Sequence, residues 1–366
     1  MNTKKLILIS LFVLGSLILS ACTGARGVSN NWHGVAADAE RAYVSNGSFV
    51  YAVDLKNGTQ LWQYPDKADA KLSYYATPVI TSDGQLLIGS AGIKDHPFMS
   101  LDPATGKEKW SEPFTGKEGP WLAAPLVFND KIYAPNTNGY VYILGMDGKQ
   151  AADPIKLGGA LWAAPVTDGK LLYIASLDHY VHVIDPANNS EVTDPIDLRG
   201  AIPSSPTVGS DGVYAGSFAS TVEFIQSNGN HKVIASAENR IWGSPILDGK
   251  TLYYADLNGK VYSLDVASGN KNWSVQPAGS VVASLLLVGD QIYVASEPDA
   301  KTGIGTLVAL DREGKTVWSK EVGGKLYTTP VNSGNLILVA PYQTTYSLAA
   351  YDAQGNQVWA FTPTTK

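Results

Sequence analysis

One motif returns eight times along this chain, and it restricts the fold more than any other feature. Its fullest copy reads Trp242-Gly-Ser-Pro245, Asp248-Gly249-Lys250, Leu252-Tyr-Tyr-Ala255, Val261-Tyr-Ser-Leu-Asp265, Gly269 and Trp273. The closing Asp recurs at Asp54, Asp102, Asp185, Asp265, Asp311 and Asp352, with Gly145 and Gln226 in its place in the third and fifth copies. From these positions the separations are 48, 43, 40, 41, 39, 46 and 41 residues. A period near 40 is that of an array of small supersecondary units, each too small to bury its own apolar face.

Each unit reads as four short strands. Runs such as Leu171–Ala175 and Leu336–Ala340 are apolar on both faces, as strands sandwiched between neighbours must be. Asp83-Gly84, Asp168-Gly169, Asp211-Gly212 and Asp248-Gly249 punctuate the first two strands, a hairpin signal. A second Asp-to-Gly turn separates the last two. No long helical pattern is present. The sequence therefore predicts an all-β fold, an eight-bladed β-propeller of four-stranded antiparallel blades over residues 32–363. The repeats are in phase with one another from Trp32 onward. No strand visibly crosses from one end of the chain to the other blade, so ring closure would rest on face packing of the first and last blades, with a strand swap left open.

At Ser100-Leu-Asp102-Pro-Ala-Thr105-Gly106-Lys107-Glu-Lys-Trp110 the chain resembles the PQQ-type propeller repeat. Looser copies run from Ala52 to Trp62, Ser263 to Trp273, Ala309 to Trp318 and Ala350 to Trp359. The resemblance implies that Trp62, Trp110, Trp273, Trp318 and Trp359 dock each blade against the next. Copies three to five have Ala152, Thr193 and Val233 near that place, which implies weaker docking there.

Residues 1–21 carry Lys4, Lys5 and an apolar run from Leu6 to Leu19, too short to span a bilayer comfortably and typical of a secretory signal. Leu19-Ser-Ala-Cys22 resembles the bacterial lipobox, which implies cleavage before Cys22 and its acylation. Residues 22–31, rich in Gly, Ser and Asn, read as a flexible lipidated tether. The expected location is therefore outside the cytoplasm, anchored to a membrane by lipid and facing the periplasm or cell exterior. With one Cys in the chain no internal disulfide is possible, so packing must supply stability. Removing two Lys and no acid leaves 25 basic against 33 acidic residues, a formal charge of −8. That balance, without basic clusters, argues against nucleic acid as a partner.

The repeat raises the possibility of a quinoprotein dehydrogenase. Those enzymes resemble this chain in their repeats, but many carry an adjacent Cys pair and a calcium site of Glu, Asn and Asp near the axis. Here there is one Cys, and the recurring Asp residues already open turns. His179 and His182, three apart on an expected strand, point to opposite faces and cannot chelate together. No catalytic residue, metal or cofactor is expected.

The unusual side chains gather at one end of the ring, where the aromatics that begin the innermost strands lie: Trp32, Tyr75, Trp121, Trp162, Trp242 and Tyr327. They are expected either to wedge between blades or to form a platform for a ligand. Between the fourth and fifth blades, Ile196-Asp197-Leu198-Arg199-Gly200 resembles a Leu-x-Leu-Arg-Gly loop of the BamB family of outer-membrane assembly lipoproteins. The resemblance implies that Leu198, Arg199 and Ile196 dock a partner. That family also presents acidic residues at the start of the next blade, where this chain has Arg240 and Trp242. The leading functional expectation is a non-catalytic envelope lipoprotein that binds another envelope protein, an outer-membrane barrel assembly component among the candidates. The alternatives are a surface lipoprotein binding a sugar or peptide on its aromatic face, and a divergent PQQ-dependent dehydrogenase.

Overall fold

The computed structural model describes residues 33–364 apart from 95, 278 and 298–302. The signal segment, Cys22, the tether and Trp32 lie outside the described residues. In the sixth blade the strands are Ile246–Asp248, Thr251–Ala255, Val261–Asp265 and Lys271–Val275, paired antiparallel in chain order. The first hairpin closes where Asp248 faces Thr251, with Gly249 in the left-handed region that Gly tolerates. At the last turn the Asp265 carboxylate accepts the Ser268 N–H at 2.7 Å, and the Asp265 carbonyl accepts the Gly269 N–H at 2.8 Å.

Eight such sheets form the ring, and helix is absent among the described residues. The fourth blade departs from the plan. Its outermost strand is split into Ser190–Glu191 and Ile196–Asp197, both paired to Tyr180–Asp185.

The core is divided in the same way. Eight apolar clusters each join two adjacent blades, as when Tyr253 and Val261 of the sixth pack with Ile292, Val294, Val308 and Leu310 of the seventh. Central strands such as Leu172–Ala175 are buried at every residue. Each buried Val, Leu or Ile contributes roughly 1.5–3 kcal/mol. A polar residue on either face of such a strand would forfeit that contribution at one joint or the other.

Five joints carry the same staple. The indole N–H groups of Trp62, Trp110, Trp273, Trp318 and Trp359 donate to the carbonyls of Pro103, Met146, Arg312, Ala353 and Leu55, at 2.7–3.0 Å. Each acceptor follows the turn residue of the next blade. Each indole lies flat on that turn's Gly; at Gly106 an added Cβ would stand 2.7 Å from the Trp62 ring. At the joint between blades four and five, Thr193 meets Gly229 instead.

Among the described residues closure uses no exchanged strand, since the first and the eighth blades each contain all four of their own. Trp359 reaches back to the first blade, and Val35, Val44 and Val53 share a cluster with Leu338, Leu348 and Phe361. Thr328 donates to the His33 carbonyl at 2.5 Å, Ser333 to that of Asp38 at 2.7 Å, and Asn46 to Ser347 at 2.6 Å.

Candidate functional site: the axial mouth and the link between blades four and five

The segment entering each innermost strand is extended, so neighbouring side chains point in opposite directions. One residue goes between blades: Tyr74, Leu161, Ile202, Ile241 and Leu326 are all fully buried. The next turns toward the axis: Tyr75, Trp162, Trp242 and Tyr327 are half-buried, and together with the buried Pro203 they line the axial cavities or their rim. The expected aromatic face therefore divides. Trp121 belongs to the buried set and is not on that face. Its indole donates to the His96 carbonyl at 2.7 Å, and its ring centroid lies 5.1 Å from Phe98 and 5.4 Å from Tyr142. Gly89 permits this, because a Cβ there would stand 2.4 Å from the Trp121 Cβ. Leu122 takes the axial place.

Trp242 and Trp162 face each other across the mouth with centroids 6.4 Å apart, and Phe218 backs Trp242 at 5.2 Å. Inside lie two adjoining cavities of about 390 and 140 Å³ that share Trp162, Ser204, Ser284, Tyr327 and Thr329. Their walls are rings, small aliphatics and hydroxyls, with no Asp, Glu, Lys or Arg among them. His33 stands in the wall of the larger one. Burial lowers its pKa to about 4, so the imidazole is neutral at neutral pH.

The second candidate is the link between blades four and five. Ile196 and Leu198 are buried, packed with Tyr173, Val183, Ile202, Val213 and Ile225. This corrects the expectation that they meet a partner, because their side chains already fill the joint between the two blades. Arg199 differs. It takes a left-handed backbone conformation, φ 61°, and its side chain is 60% exposed. The Asp197 carboxylate holds the bend by accepting the Arg199 N–H at 2.6 Å and pairing with His179 at 2.8 Å. Those two contacts, the Arg199 N–H first, depress the Asp197 pKa.

The Arg199 guanidinium donates to Glu223 at 2.7 Å, and the Glu223 side chain is 1% exposed. Its second oxygen is buried with no hydrogen-bond partner among the described residues, and His231 stands 3.8 Å away. An unpaired carboxylate so placed would be strongly unfavourable, so this ion pair fixes Arg199 on blade five. Sequence reasoning missed Glu223. It stands three residues before its blade's turn position, where Tyr51, Tyr142 and Tyr262 stand in other copies, and that substitution was the available signal. The two His residues are also separated differently than expected. His179 precedes the strand, at φ 72°, while His182 lies on it and pairs with Glu191 at 2.6 Å.

The family model described as outer membrane protein assembly factor BamB matches residues 15–194, 189–275 and 273–366. The chain belongs to the BamB family. A solved structure of BamB from Moraxella catarrhalis, 18% identical, covers 84% of this chain and 90% of its own with a TM-score of 0.68. A computationally designed protein, Ika8, superposes with a TM-score of 0.71 at 12% identity, over 88% of this chain and 96% of its own. At such identities the likeness is one of fold. Among curated proteins, BamB of Nitrosomonas eutropha is 25% identical over 118 residues, which is 32% of this chain and 27% of that one. The quinoprotein alcohol dehydrogenase PedH of Pseudomonas putida is 33% identical over 134 residues, 35% of this chain and 21% of that one. The matched stretches thus span under a third of these curated relatives.

The second kind of relative raises a cofactor question that the axis answers chemically. Pyrroloquinoline quinone is a tricarboxylate, and its calcium needs anionic oxygen ligands. The axial walls of this BamB-family propeller supply neither cationic side chains nor carboxylates. Among the described residues no three His, Cys, Asp or Glu side chains converge on a metal-sized site. The residues present do not fit the quinone.

Proposed function

We propose that this chain is a non-catalytic lipoprotein of the cell envelope that acts as a protein-binding scaffold, in the manner of the assembly factors of its family. The family match along the whole propeller carries this reading. The uncharged axial wall supports it against a quinone-dependent oxidation. The sequence around Cys22 supports attachment by lipid, so that the ring faces the periplasm or cell exterior. The link between blades four and five is the proposed docking point. Arg199 is its exposed contact, while Leu198 and Ile196 hold the link in place from beneath.

A guanidinium fixed by a buried carboxylate loses little freedom on binding, and Arg is prominent among residues that dominate interface energy. Its remaining donors suit an acidic or carbonyl-rich surface. The test is crosslinking in the native host from a photoreactive residue at the exposed Asp194, between the two pieces of blade four's outer strand and five residues before Arg199, followed by identification of the captured protein. An outer-membrane barrel or its assembly component is the expected capture. Capture of neither, with the fold intact, rules the reading out.

A further inference from the structure

Separately from the docking link, the axial mouth has the chemistry of a ligand site. Trp162, Trp242, Tyr75 and Tyr327 surround it, and the larger cavity, about 390 Å³, falls within the size that small-molecule sites occupy, about 300–1,000 Å³, with a smaller one of about 140 Å³ adjoining it. The hydroxyls below the rings are arranged with a direction. Ser284 Oγ accepts the Ser244 N–H at 2.8 Å, and Thr329 Oγ1 accepts the Ser284 N–H at 3.0 Å. Each hydroxyl is thereby oriented by the blade before it, and its own proton has no acceptor among the described residues. A second, independent sign is His33 in the same wall, 6% exposed, with a buried Nδ1 that no described group satisfies. Unsatisfied buried polar atoms are uncommon and mark places where a partner is missing.

We propose that the axial mouth binds a neutral saccharide, stacked on Trp162 and Trp242 and hydrogen-bonded by the Ser284 and Thr329 hydroxyls. The faces of a sugar ring are C–H surfaces that pack on the electron-rich faces of aromatic rings, and its edges carry hydroxyls that both donate and accept. The walls offer both kinds of contact and no charge. An anionic ligand such as a phosphate or a uronate would enter without a counter-charge, which burial penalises. This inference does not depend on the scaffold reading, since the rings face the axis and Arg199 lies on an exposed link.

The experiment is titration of the purified chain with maltose, cellobiose and N,N′-diacetylchitobiose, followed by indole fluorescence and by saturation-transfer nuclear magnetic resonance. Glucuronic acid and a mixture of short peptides serve as comparisons. A saturable response to at least one neutral disaccharide is expected. It should weaken about tenfold or more in Trp242→Ala and Trp162→Ala, with the melting temperature little changed because both rings are half-exposed. Ala164→Leu fills the cavity from an adjoining wall position and should weaken binding while leaving both indoles in place. The proposal is overturned if none of the three sugars gives a saturable response. It is equally overturned if only glucuronic acid or the peptides do, or if the response survives Ala164→Leu unchanged.

Discussion

The indole of Trp359 donates a 2.8 Å hydrogen bond to the carbonyl of Leu55, joining the eighth blade to the first across 304 residues of sequence. The ring lies on Gly58, where an added Cβ would stand 2.8 Å from it. Trp359→Ala should therefore cost about 3–5 kcal/mol, as loss of a buried Trp generally does. Trp318→Ala should cost less, because its indole makes the same bond in a more exposed place. Gly58→Ala tests the joint from the other side, since it adds both the collision and strain at φ 74°. Urea unfolding of the three variants checks the order.

At the link between blades four and five, two neighbours should behave differently. Leu198→Ala opens a cavity in a fully buried cluster and should lower stability by about 2–5 kcal/mol. Arg199→Ala leaves Glu223 buried without its cation, so it should also destabilise, and adding Glu223→Gln should restore part of the loss. If Arg199→Ala leaves the unfolding midpoint unchanged, the ion pair is not what holds the link. Arg199→Lys keeps a charge but not the fork, and should weaken partner capture more than stability.

His33 makes stability depend on pH. Burial lowers its pKa from 6.5 to about 4, so between those values the unfolded chain takes up a proton that the folded chain refuses. Stability is fully present above pH 6.5 and falls as the pH drops toward 4. Its full extent is roughly 3 kcal/mol from this one group. The turn carboxylates Asp265 and Asp352 act in the same sense at lower pH. The Ser268 N–H and the Asn356 amide, respectively, hold their pKa values down, and that stabilisation goes as they protonate. Urea midpoints at pH 7 and pH 4.5 should therefore converge in His33→Gln relative to the parent.

Cys22→Ala should give an exported product that is soluble or uncleaved, while the parent chain stays with membranes at high salt. Several acyl chains anchor stably where one binds marginally. Fractionation followed by a salt wash distinguishes the two, and a parent that washes off sinks the lipid anchor.

Added pyrroloquinoline quinone and calcium should produce neither a bound-quinone absorbance nor dye reduction with alcohols or aldoses. The uncharged axial wall is the reason. Appearance of activity would return the chain to the dehydrogenases.

The blades were legible in the sequence because Asp turns and Trp staples recur at a fixed distance from the strands they join. What lay between the repeats was less so. Trp121 and Trp162 look alike in sequence, but one is buried between blades and the other faces the axis. A shift of one residue in extended backbone separates the two, and no periodicity marks that phase in a short link. Leu198 reads as a loop residue, yet the split outer strand of blade four folds it inward. Glu223 looks like one more polar residue on a strand until Arg199, 24 residues earlier, is placed against it.

Closure without an exchanged strand also bears on how the ring is made. Within a blade every strand pairs with its chain neighbour, except that the split outer strand of blade four sends both pieces to one partner, so strand pairing within each blade closes over short loops. Short loops close quickly, and low contact order goes with fast folding. Seven joints can then assemble in the order the chain supplies them. The eighth must wait for residues 304 apart to meet, although loop entropy grows only slowly with such a length. Until Trp359 reaches Leu55, the assembly is an open arc with two apolar blade faces bare to water, and those faces are its sites of vulnerability to aggregation.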